Sequence, residues 1–249
     1  MTALVFLHGF TGSPRNFQPL IEQCPLGMRV FAPALIGHDP EQDHQTPSTE
    51  RFEDEVDRLA AALVQHALPP VHLIGYSLGA RIALGLAVRH RELVARATLI
   101  GVHPGLQTSA EREQRRASDA EWCALIQSEG VPAFVEAWQN QPLFASQAAL
   151  PERVRELQRQ QRLRHSAAGL CLSLRSTGLA EMPSYWPALA ELALPVDLVT
   201  GALDERFSSL ASAAHALLPE STLHSVAGVG HNVILENPSA LAGIVGSSP

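Results

Sequence analysis

Three residues far apart in the chain could form one proton-transfer relay: Ser77, Asp204 and His231. A serine hydroxyl is a poor nucleophile or base at neutral pH. A histidine within hydrogen-bond reach can take its proton, and a carboxylate behind the histidine fixes its tautomer and stabilises its cation. Ser77 stands in Gly75-Tyr76-Ser77-Leu78-Gly79, where small neighbours allow a strained turn that pushes the hydroxyl out. Such a pattern also arises by chance in Gly-rich turns. Its weight comes from the partners. Asp204 follows an apolar run by three residues, and His231 lies in the Gly-rich stretch Ala227-Gly228-Val229-Gly230-His231-Asn232. Asp197 is a competing acid but falls inside a predicted strand, and the competing histidines His103 and His224 lack a Gly-rich loop after a strand. His8-Gly9-Phe10-Thr11-Gly12 offers a second Gly-rich loop, whose Phe10 backbone N–H suits half of an oxyanion hole. His8 itself reads as a loop anchor.

Cations stand near this relay. Arg81 lies four residues after Ser77 on a predicted helix, so it projects to the same side. A buried arginine is costly unless paired. Two readings stay open: a salt bridge to an acidic loop residue, or a clamp for a substrate carboxylate. Arg112, Arg115, Arg116, Arg153, Arg155, Arg159, Arg162 and Arg164 read mostly as a solvated helix face, with a few free to point into a cleft. Trp138 fits packing or a site wall.

The elements that must position these groups follow from hydrophobic period. Short apolar runs predict strands at 4–7, 29–35, 71–75, 97–102, 194–201 and 222–226. A helix starting near Ser48 or Thr49 carries Phe52, Val56, Leu59 and Leu63 on one stripe, and a nearly all-apolar, hence buried, helix follows Ser77 to about Arg89. Strands alternating with helices predict an α/β fold with a mostly parallel sheet. From Thr108 to about Pro195 only helices are expected, with a capping box at Thr108-x-x-Glu111 and a stop at Gly130. That stretch is too long for a loop. The division is a core of 1–102 and 196–249 with a helical lid over 103–195. Asn237-Pro238 starts the last helix.

Composition excludes several chemistries. The 249 residues are 46% apolar with a net charge of −7 and no charged tail, which argues against nucleic acid as a partner. All eighteen basic residues are arginine, so neither a Schiff-base lysine nor a P-loop lysine exists. Cys24, Cys123 and Cys171 have no metal-site spacing and read as reduced thiols of a cytoplasmic protein. No transmembrane stretch or signal peptide is expected.

Beyond these general signals, the chain resembles the 2-succinyl-6-hydroxy-2,4-cyclohexadiene-1-carboxylate (SHCHC) synthases, the menaquinone-biosynthesis branch of the α/β-hydrolases. The resemblance covers nearly the whole chain. It rests on His8-Gly9-Phe10, the Ser77 pentapeptide, Gly230-His231, Arg81, His103-Pro104-Gly105-Leu106, Glu111-Arg112-Glu113-Gln114-Arg115-Arg116, Trp138 to Ser146, Ser176 to Ala180, and Asp204-Glu205-Arg206-Phe207. It implies an α/β-hydrolase fold and a lyase that eliminates pyruvate from a cyclohexene polycarboxylate, without metal or organic cofactor. Residue by residue it makes Ser77 the catalytic base with His231 and Asp204, and the Phe10 and Leu78 N–H groups the oxyanion hole. Arg81, Arg115 (with Arg116 the alternative) and Arg164 become carboxylate-binding residues, and Tyr76 and Trp138 line the site. Ala80 and Gly37-His38-Asp39 depart from the branch's usual glycines. A carboxylesterase or C–C bond hydrolase with the same triad is the alternative, and a non-catalytic binding protein of this fold a third. Oligomeric state is not legible.

Overall fold

A computed structural model describes residues 2–24, 27–39, 51–68 and 70–246. Six strands form one parallel sheet: β1 (Ala3–Leu7), β2 (Val30–Phe31), β3 (Val71–Tyr76), β4 (Val94–Ile100), β5 (Val196–Gly201) and β6 (Ser221–Val226), in the spatial order β2-β1-β3-β4-β5-β6. The expected second strand is the shortest. It lies at an edge, and Pro33 has no N–H to extend the ladder. The start expected near Ser48 or Thr49 for the following helix lies outside the described residues.

The helices are α1 (Gln18–Ile21), α2 (Phe52–Gln65), α3 (Leu78–Arg89), α4 (Ser109–Gln139), α5 (Glu152–Arg162), α6 (Ala167–Thr177), α7 (Glu205–His215), α8 (Val233–Glu236) and α9 (Pro238–Gly246). Period-two alternation along the strands sorts the core. Val5, Leu7, Leu73 and Leu99 face α2, α3 and α7 on one side. Leu4, Phe6, Ile74 and Ile100 face α1, α8 and α9 on the other. β1, buried on both faces, is all apolar, whereas the edge strand β6 is largely exposed and polar.

Between β4 and β5 the described chain is helical. Thr108 caps α4: its hydroxyl accepts the Glu111 N–H at 3.2 Å, and the Glu111 carboxylate accepts the Thr108 N–H at 2.9 Å. Gly130, at φ +85° and ψ 171°, breaks α4 into two rods. Phe134, Val135, Cys123 and Ile126 of α4 pack on Leu170, Cys171 and Leu174 of α6 as a separate apolar cluster. The α4–α6 layer lies over Phe10, so its core continues onto the sheet's C-terminal end. No helix among the described residues is long and apolar enough to cross a membrane.

Candidate active site

Ser77 follows β3 directly and precedes α3, in a strained conformation at φ +52°, ψ −105°. The turn closes only because its flanks are glycine. A Cβ on Gly75 would collide with the Gly79 carbonyl, and one on Gly79 with the Leu7 carbonyl of the neighbouring strand. The Ser77 N–H donates to the Ile100 carbonyl at 2.8 Å, which ties the turn to β4.

Asp204 comes from the loop after β5, where it caps α7 by accepting the Phe207 N–H at 3.2 Å. His231 comes from the loop after β6 and is 2% exposed. The His231 Nδ1–H donates to Asp204 Oδ2 at 2.7 Å, and Ser77 Oγ lies 3.2 Å from His231 Nε2. Because the carboxylate can only accept, Nδ1 carries the proton and Nε2 is left to accept the serine hydroxyl. The Phe207 ring, 4.4 Å from the His231 ring, closes that side. Asp197 is occupied elsewhere: near the start of β5, at the other end of the strand from Asp204, it accepts from Arg96 at 2.6 Å and from His224 Nε2 at 2.9 Å.

Phe10 and Leu78 line the same cleft as Ser77. Neither backbone N–H has an acceptor among the described residues. Two neutral histidines lock the Phe10 loop. His8 donates from Nδ1 to the Gly9 carbonyl at 2.9 Å and accepts the Leu35 N–H at Nε2 at 3.1 Å. His38 accepts the Thr11 N–H at 3.1 Å and donates to the Ile36 carbonyl at 2.9 Å. His8 is therefore the anchor its position suggests. Burial pushes its pKa down to about 4.

The cleft holds about 630 Å³. Arg81 reaches it from α3, buried, with one guanidinium nitrogen donating to the Thr177 carbonyl at 2.9 Å. No carboxylate lies within ion-pair distance of it among the described residues. Burial, and then Arg115 nearby, hold its pKa down to about 9, while Asp119 opposes them. Arg115 lines the cleft from α4 and donates to Asp119 Oδ1 at 2.9 Å. Arg116 turns outward to Glu181 at 2.7 Å, so the choice between the two falls on Arg115. Trp138 both walls the cleft and packs, its ring centroid 5.1 Å from that of Phe10 and 5.3 Å from that of Trp122, and its buried Nε1–H has no acceptor among the described residues. Tyr76 and Phe144 complete the wall. Among the described residues no cluster of three or more His, Cys, Asp or Glu could hold a metal ion.

The family described as alpha/beta hydrolase fold matches residues 2–238. The chain is 37% identical over 246 residues to a Bacillus subtilis (strain 168) protein provisionally named 2-succinyl-6-hydroxy-2,4-cyclohexadiene-1-carboxylate synthase, covering 98% of this chain and 88% of that one. It is 34% identical over 245 residues to the synthase of that name from Salmonella paratyphi C (strain RKS4594), covering 98% and 91%. The solved structure of MenH from S. aureus superposes with a TM-score of 0.93 at 29% identity, covering 99% of this chain and 92% of that one. The chain belongs to the SHCHC synthase family of α/β-hydrolases.

Within the SHCHC synthase frame one sequence expectation needs correction. Arg164 is exposed and does not line the cleft, because it lies past the end of α5 and turns to solvent. The buried arginine of this stretch is Arg162, the last residue of α5, 4% exposed. Its guanidinium sits over the Phe144 ring at 5.3 Å, in a cavity that shares Phe10, Tyr76 and Phe144 with the cleft. The signal was available in principle: α5 is amphipathic, and only the phase of its buried face separates 162 from 164. Reasoning on chemistry-bearing residues also missed Arg206, Asp119 and His103 as cleft residues of this SHCHC synthase relative. Arg206 stood inside a quoted motif, His103 was weighed only as a rival for the relay, and Asp119 lay three residues past the motif that ends at Arg116.

Proposed function

We propose that the protein is a cytoplasmic lyase that converts 2-succinyl-5-enolpyruvyl-6-hydroxy-3-cyclohexene-1-carboxylate into SHCHC and pyruvate in menaquinone biosynthesis. One observation carries this reading: a Ser–His–Asp relay opens into a cleft lined by three arginines, Arg81, Arg115 and Arg206, against two acids, Glu111 and Asp119. An ester pocket favours apolar walls, whereas a substrate with several carboxylates needs fixed cations.

The chemistry follows from the atoms. His231 Nε2 accepts the Ser77 proton, and Ser77 Oγ removes the ring proton next to the succinyl ketone. Negative charge develops on the ketone oxygen, where the Phe10 and Leu78 N–H groups receive it. The electrons then move through the ring alkene, the ring carbon–oxygen bond to enolpyruvate breaks, and the ring becomes a 2,4-diene. The proton held on His231 passes to the departing enolpyruvate, which ends as pyruvate. Arg81 and Arg115 bind carboxylates, Tyr76 and Trp138 shape the wall, and Arg162 stands behind it as a third cation. The core of 1–102 and 196–249 holds the relay and the lid of 103–195 supplies most of the binding wall. No metal or organic cofactor enters these steps.

The test follows pyruvate release from the enolpyruvyl cyclohexene beside cleavage of a p-nitrophenyl ester. Fast pyruvate release with slow ester cleavage is expected. Ester cleavage without pyruvate would make the protein a carboxylesterase and overturn the reading.

A further inference from the structure

His103 lines the cleft three residues after β4, is 8% exposed, and takes no part in the scheme above. Its two ring nitrogens are differently committed. Nδ1 accepts the Gly105 N–H at 3.0 Å. A nitrogen that accepts an N–H carries no proton, so the neutral ring holds its proton on Nε2. The Nε2–H has no acceptor among the described residues.

The surrounding loop fixes this orientation. Gly105 sits at φ +110°, and a side chain there would collide with the Pro183 carbonyl. The Tyr185 N–H donates to the Pro104 carbonyl at 2.7 Å, and the Trp186 indole N–H donates to the Gly105 carbonyl at 2.9 Å. Proline in between removes one more degree of freedom. The turn that ends in Leu106 is therefore built to aim one imidazole N–H.

The ring's charge state is also set. Burial, then Arg81, Arg206 and Arg115, push its pKa down to about 4, with Glu111 opposing. A neutral donor among three guanidinium groups is a poor competitor for a carboxylate. Its lone-pair nitrogen is already engaged, so it is no base either. What it fits is an uncharged oxygen.

We propose that His103 donates its Nε2–H to the ring hydroxyl oxygen of the bound substrate and thereby orients the ring beneath Ser77. This rests on the lyase reading above, whose substrate carries that hydroxyl beside its carboxylates. The arginines then hold the charged arms while His103 selects for an oxygen on the ring, a division of labour between charge and register.

The test uses two variants and one analogue, all read by pyruvate release. H103F removes the donor at similar ring size and is expected to lower kcat/KM about 10- to 100-fold, the usual scale for leaving a buried polar group unpaired. H103Q restores an N–H near the Nε2 position and should recover activity to within a few-fold of wild type. An analogue without the ring hydroxyl should be penalised by wild type and not by H103F. Kinetics of H103F equal to wild type, or equal discrimination by both against the analogue, would overturn the assignment while leaving the lyase intact. Absence of pyruvate release by wild type would overturn both. Should H103F fail to fold, nitrogen-15 NMR of wild-type His103 decides alone. The expected result is a neutral ring protonated on Nε2 at pH 6, and a proton on Nδ1 or an imidazolium there refutes the proposal.

Discussion

Each side chain around Ser77 has a separable expected effect. Ser77→Ala should abolish pyruvate release with an unchanged circular dichroism spectrum, since the turn is held by backbone and glycines rather than by the hydroxyl. Arg81→Ala should weaken substrate binding by about 2–5 kcal/mol, because truncating one partner leaves a buried carboxylate unpaired. Titration of the variant with a product-like polycarboxylate checks this, and wild-type affinity would make Arg81 a purely structural donor to Thr177. The contrast between Arg162 and Arg164 is sharper. Arg164→Ala should keep kcat/KM within about two-fold, as exposed substitutions usually do. Arg162→Ala should reduce it strongly, since the side chain is buried against Phe144 with no carboxylate partner among the described residues. Equal kinetics in the two variants would remove Arg162 from the binding set. At this scale the sequence was most informative where a residue type has one use, as with a serine between glycines. It was least informative for arginines, whose long stems reach in several directions and whose role depends on two residues of helical phase.

At the scale of elements, the turn residues decide what the helices can do. Gly130 divides α4 at φ +85°, a region that side chains rarely adopt. Gly130→Ala should therefore destabilise the protein by about 1–2 kcal/mol, read as a lowered midpoint in urea with the slope unchanged. Thr108→Ala should cost about 1 kcal/mol through loss of the cap. Both features were legible, because caps and stops depend on local chemistry alone. The capping box, the Gly130 break and the Asn237 cap on the Ala240 N–H at 3.0 Å lie where the sequence puts them. The second strand was overestimated: Pro33 inside the run was legible as a ladder-breaker, whereas its place at the sheet edge is set by the fold. α5 is amphipathic, but its buried face carries arginine as its exposed face does, so residue type alone does not separate Arg162 from Arg164.

For the whole molecule, buried histidines set the response to acid. Burial is the main reason that His8, His72 and His103 have pKa values pushed down to about 4, below the value of about 6.5 for a free imidazole. The folded state thus binds fewer protons than the unfolded chain across this window. Their contribution is fully present above about pH 6.5 and is lost as pH falls toward 4. Thermal melting temperatures should be level near pH 7 to 8 and fall steadily below pH 6.5. A flat profile between pH 7 and 5 would refute this. The sheet order carries a different consequence. β4 and β5 are hydrogen-bonded neighbours, yet the entire α4–α6 layer enters and leaves the sheet between them. Ser77, Asp204 and His231 all sit outside that insertion, while Arg115, Trp138 and Arg162 all sit inside it. Arg81 and Tyr76 apart, the groups that would recognise a substrate thus lie on a different portion of the chain from the relay. A different helical cassette spliced between β4 and β5 would meet the same waiting nucleophile, and selection can retune what enters the cleft without rebuilding the machinery beneath it.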